Sequence, residues 1–160
     1  MTQPRLSAGR RGLLAVTAVA ALALTGLAAV TPAFAETVTL TAKLVPVPGA
    51  PPTGLGEMVA HYDPSTLMLS WRVTYSGLSG PLVAAHIHGP ATPGTGQGPL
   101  PNAPVVVPFT PPLTSPIQGS AKLTLDQVSQ LLGGLYYVNL HTAAFPGGEI
   151  RGQINVQPTN

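Results

Sequence analysis

The chain has 160 residues, of which 44% are hydrophobic, 8% are charged and none is cysteine. That limits it to one small domain and excludes a disulfide framework, a thiolate metal cluster and a cysteine nucleophile. A formal net charge of +2 and a pI near 9.3 point towards nucleic acid or an anionic membrane, but the first 35 residues withdraw that inference.

Arg5, Arg10 and Arg11 form a basic start, Gly12 to Val30 is apolar and uncharged, and Ala33-Phe34-Ala35 supplies the small residues of an A-x-A cleavage site. This predicts an export signal over residues 1–35, cut before Glu36. Arg10-Arg11 followed by Gly12-Leu13-Leu14 also resembles a twin-arginine signal, although Gly9 stands where Ser or Thr is usual; the Sec and twin-arginine routes both stay open. Only an uncleaved segment would tie the chain to a membrane, since its 19 apolar residues can just span a bilayer. Residues 36–160 then carry Lys43, Arg72, Lys122 and Arg151 against Glu36, Glu57, Asp63, Asp126 and Glu149, leaving one net negative charge. The basic pI belongs to the signal, and no nucleic-acid partner is expected. No Walker or dinucleotide-binding glycine pattern is present.

After Glu36 the chain alternates. Val38, Leu40, Ala42 and Leu44 oppose Thr37, Thr39, Thr41 and Lys43 in a first strand over Thr37–Val45. Gly56–Tyr62 and Leu67–Tyr75 form a second and third, joined by the turn Asp63-Pro64-Ser65-Thr66. Leu82–His88 is a fourth. From Gly89 to Ser120 there are nine prolines and five glycines, read as a long irregular loop, 89–120, with one short strand at Val105–Phe109. A loop of that length in a compact domain is usually functional or mobile. Strands at Ile117–Leu123, Leu135–Thr142 and Glu149–Val156 complete the set. Thr124-Leu125-Asp126-Gln127 has capping-box spacing, and Gly133-Gly134 ends a short helix after Leu132. The pattern predicts an all-β antiparallel Greek-key sandwich or barrel, superoxide-dismutase-like or immunoglobulin-like, with one short helix.

Ala85-His86-Ile87-His88-Gly89-Pro90, the run from Tyr137 to Thr142 (Y-V-N-L-H-T) and Pro146-Gly147-Gly148-Glu149-Ile150-Arg151-Gly152-Gln153 resemble the CHRD domain, named after chordin and found in many bacterial secreted proteins. The order of parts agrees as well: a strand around Trp71, A-H-I-H-G, a Gly/Pro loop, the helical segment, then the two C-terminal motifs. The resemblance spans roughly Thr37 to Val156. It implies an exported domain but places no activity on any residue. His61 and the proline-heavy loop after His88 depart from the family pattern.

His86 and His88 lie two apart on a strand, hence on one face and about 6.6 Å apart along it, with Val83, Ala85 and Ile87 opposite. Tyr137, Asn139 and His141 share a face opposite Tyr136, Val138, Leu140 and Thr142. Glu149, Arg151, Gln153 and Asn155 oppose Ile150, Gly152, Ile154 and Val156. With the apolar sets in the core, the histidines and charges fall on the outer face of the sheet, and a one-residue slip would bury Glu149 and Arg151. Two imidazoles at H-x-H spacing plus a third from another strand suit copper or zinc with one position left open. The alternative is structural: His86 and His141 donate ring N–H groups to backbone carbonyls and pin the long loop. Glu149 and Arg151 are expected as a surface ion pair worth about 0–1 kcal/mol, Gly147 and Gly148 as the turn into the last strand, and Asn139 as part of the same motif. Trp71, Tyr136 and Tyr75 are expected in the core, and His61 at the surface or hydrogen-bonded.

Three functions follow. One is an exported module that binds a protein or polymer partner without chemistry of its own. Another is a copper- or zinc-binding protein using His86, His88 and His141. The third, a superoxide-dismutase-like enzyme, lacks the bridging histidine, zinc aspartate and charged steering loop that such an enzyme uses.

Overall fold

The computed structural model describes residues 36–93 and 102–158, within the compact unit Ala33–Asn160. The export signal expected over 1–35 and the part of the Gly/Pro loop at 94–101 lie outside the described residues. Nine antiparallel strands and one helix follow in chain order: β1 Val38–Pro46, β2 Leu55–Asp63, β3 Met68–Ser76, β4 Leu82–His88, β5 Val105–Pro108, β6 Ile117–Lys122, α1 Leu125–Leu132, β7 Tyr137–Thr142, β8 Ile150–Gln153 and β9 Asn155–Val156. The neighbour order β5-β4-β7-β8-β1-β2-β3-β6, with β9 also on β1, makes an all-β antiparallel, nearly closed barrel.

The expected alternation decides which faces meet. Leu40, Ala42 and Leu44 of β1, Met58 and Ala60 of β2, and Leu69, Trp71 and Val73 of β3 are buried together with Ile87, Val138, Leu140 and Ile150 from the other half. Each of the larger of these side chains, the alanines aside, contributes roughly 1.5–3 kcal/mol by leaving water. Trp71 stacks on Phe109 at 4.7 Å between centroids, Tyr136 is fully buried and Tyr75 packs at the core margin. The Thr124 side chain accepts from the Gln127 backbone while Gln127 accepts from Thr124, so α1 has the expected capping box, and Leu131 anchors it to the core.

Two local departures matter. A bulge between Leu82 and Ala84 turns Val83 out to 59% exposure, so Val83 does not share the buried face of Ala85 and Ile87. The last strand is not continuous: at Ile154 it passes from β8, paired with β7, to β9, paired with β1. Ile154 stays buried, its N–H donating to the Tyr136 carbonyl. Among the described residues no helix is long and apolar enough to cross a membrane.

Candidate metal centre beneath two loops

Register brings the site together. His86 pairs with Asn139 and His88 with Tyr137 across β4 and β7, and Asn139 pairs with Arg151 across β7 and β8. His141, two residues beyond Asn139, is therefore the diagonal neighbour of His86, within reach of a ring side chain. The three imidazoles cluster with ring centroids 5.0, 5.3 and 5.7 Å apart. One ring nitrogen from each of His86, His88 and His141 lies within 4.8 Å of the others, and His86 Nδ1 sits 3.2 Å from His141 Nε2.

The outer face of this sheet is polar as expected, but it is not open. His88, His141, Asn139, Glu149 and Arg151 are all buried, His86 half-buried. Their cover is the end of the Gly/Pro loop and the turn between β7 and β8. Asn102 donates to the Gly147 carbonyl at 2.9 Å, and Asn139 donates to both Asn102 Oδ1 and Gly147 O at 3.2 and 3.1 Å. The Ala103 N–H donates to the Tyr137 hydroxyl. Gly148 has φ of +110°, and a Cβ there would stand 2.0 Å from Asn139 Oδ1; only glycine lets Asn139 rise against this turn.

These loops also fix the imidazoles. His88 Nδ1 lies 2.7 Å from the Ala103 carbonyl and His141 Nδ1 2.9 Å from the Pro146 carbonyl. A carbonyl only accepts, so both Nδ1 atoms carry the proton and both Nε2 atoms present lone pairs. Loop pinning is thus the work of His88 and His141, whereas His86 turns to His141. His88 Nε2 is buried with no hydrogen-bond partner among the described residues. Such an atom forfeits its hydration with nothing in return unless a ligand meets it.

Burial holds all three imidazoles below their ordinary pKa, His141 at about 4. For His88 and His141 the carbonyl bonds oppose this, and repulsion from Arg151, and from His86 were it protonated, adds to it. They are therefore neutral at pH 7, the form in which histidine ligates a metal. The unfolded imidazole titrates near 6.5, so between there and about pH 4 the unfolded state binds more protons. Stability of the metal-free protein is then full above pH 6.5, falls as pH drops towards 4 and levels off with respect to His141 below that. This one residue accounts for up to about 3 kcal/mol. Urea denaturation from pH 7 to 4 in a chelator reads the effect; a pH-independent midpoint contradicts it.

Glu149 corrects the ion-pair expectation. It precedes β8, its N–H donating to the Leu140 carbonyl at 2.7 Å, and its carboxylate accepts from Ser79 N, Ser79 Oγ and Thr142 Oγ1 at 2.7, 2.6 and 2.5 Å. Burial would raise its pKa, but these donors outweigh that and hold it below the usual carboxylate value. It is a structural anchor between the β3–β4 and β7–β8 turns. Arg151 instead lies with its guanidinium carbon 5.7 Å from the Tyr137 ring centroid. Tyr137 in turn stacks on His88 at 5.3 Å with 10° between planes. His61 lies on the far sheet, exposed, 3.4 Å from Thr39 Oγ1. Two residues of the site, Ser79 and Asn102, belong to no sequence motif; the one signal for Asn102 is that it is the single asparagine in the Pro/Gly run.

An antiparallel barrel carrying a histidine cluster under two loops defines a small all-β domain with a covered polar cluster on one sheet face. A family model for the CHRD domain matches residues 36–154, and the chain belongs to that family. At family level it is a binding or structural module, of a type typically found outside the cell. No curated protein and no solved structure matches the chain.

Proposed function

We propose that this CHRD domain binds one copper or zinc ion through His86, His88 and His141. The observation that supports it best is the buried, unpartnered His88 Nε2, on a residue that has one ring nitrogen within 4.8 Å of one from each of His86 and His141. Backbone carbonyls that fix the tautomer are the usual outer partners of metal-bound histidine, and both Ala103 and Pro146 supply them here. Three protein nitrogens leave a coordination position open. Among the described residues no Cys, Asp or Glu joins the three imidazoles, and the Glu149 carboxylate is engaged by Ser79 and Thr142; binding or carrying the ion fits the site better than catalysis.

Adding copper or zinc at a hundredfold excess over Kd should stabilise the protein by about 2.7 kcal/mol, a rise of roughly 10 °C in Tm for a domain of this size. His141→Ala should abolish that rise, and His61→Ala should leave it. An equal rise in the His141→Ala protein contradicts the site. The ion would be met outside the cell: residues 1–35 act as an export signal, and the first residue of the exported protein should be Glu36 by N-terminal sequencing. Retention of Met1 in the exported protein contradicts that cleavage.

A further inference from the structure

We propose that the ion this site selects is monovalent copper, Cu(I), over Cu(II) and Zn(II); the inference rests on the three-histidine reading above. The ligand set is electrically neutral. Among the described residues no carboxylate or thiolate joins the three imidazoles. Glu149, the acidic residue nearest in the chain, has its carboxylate tied to Ser79 and Thr142.

The charge that does adjoin the shell is positive. Arg151 is only 6% exposed and remains a cation at any ordinary pH. It is held over one face of Tyr137, and the Tyr137 ring lies parallel to His88. Its field reaches both His88 and His141. An ion entering this pocket loses hydration at a cost that grows with the square of its charge and meets repulsion that grows linearly with it. A divalent ion beside Arg151, with neutral ligands, puts three positive charges in a buried space; a monovalent ion puts two.

Coordination number points the same way. Zn(II) takes four ligands and would draw in a water or anion, whereas Cu(I) is satisfied by two or three donors. His86, His88 and His141 can supply all of them, and imidazole suits copper. Nitrogen donors alone would rank Cu(II) first among divalent ions; the buried guanidinium works against either divalent ion.

The exported protein, free of added histidine tags, would be titrated anaerobically with Cu(I) against a chromophoric cuprous chelator. Zn(II) and Cu(II) would be titrated separately against competing dyes. The expected result is a Cu(I) dissociation constant below both divalent ones. In Arg151→Met the cuprous preference over zinc should shrink by roughly tenfold or more, the effect of one unit charge at an effective dielectric near 20. Zn(II) or Cu(II) binding as tightly as Cu(I) in the unsubstituted protein overturns the proposal while leaving the three-histidine site intact. Failure to bind any of the three ions overturns the site itself, and the proposal with it. The unsubstituted protein decides the matter even where Arg151→Met does not fold.

Discussion

Replacing Glu149 by alanine should cost roughly 3–5 kcal/mol of folding stability, more than any surface ion pair could supply. The carboxylate is fully buried and satisfies three donors at once: the Ser79 N–H, the Ser79 hydroxyl and the Thr142 hydroxyl. Truncation leaves the backbone donor of the β3–β4 turn facing an apolar gap next to β7. Glu149→Gln keeps the shape and one acceptor oxygen, and should lose about half as much. Because Glu149 touches no imidazole ligand atom, the glutamine protein should still take up metal. Urea unfolding measures both variants; a loss below about 1 kcal/mol for the alanine protein would return Glu149 to the role of an exposed charge.

Gly152→Ala should be worse still, with a loss of roughly 4 kcal/mol or more that leaves little folded protein at 37 °C. Gly152 pairs with Val138 of β7 and follows Arg151, which pairs with Asn139 on that side and with Val45 of β1 on the other. A Cβ there would stand 2.1 Å from the Lys43 carbonyl oxygen and 2.7 Å from its carbon. Those are backbone atoms of a paired strand, so no rotamer change relieves the clash; β8 must move away from β1. Arg151 and the pairing that aligns Asn139 would move with it. Expression followed by circular dichroism tests this, and a folded Gly152→Ala protein with near-native Tm contradicts it.

Period-2 alternation is enough to place most of the strands because each of these has one apolar face, and Leu40, Ala42 and Leu44 can face the core in only one register. The same alternation is what sets His86, His88 and His141 on a common outer face. What alternation cannot show is whether something lies over that face. The cover comes from Asn102, Ala103 and Pro146, in segments whose proline and glycine content carries no periodic signal. Val83 leaves the pattern through a bulge, which inserts a residue without changing composition. Glu149 has the spacing of a last-strand residue, yet it sits before β8, beside a Gly148 of positive φ, and its carboxylate meets Ser79 and Thr142. Contacts across 70 residues, such as Ser79 with Glu149, leave no trace in local sequence.

The most direct test of the central claim is the metal content of the exported protein, made without a histidine tag and desalted, measured by inductively coupled plasma mass spectrometry beside its His88→Ala variant. The three-histidine reading predicts about one copper or zinc per chain in the first and almost none in the second. No metal in either, after loading with both ions, or equal metal in both, would contradict it.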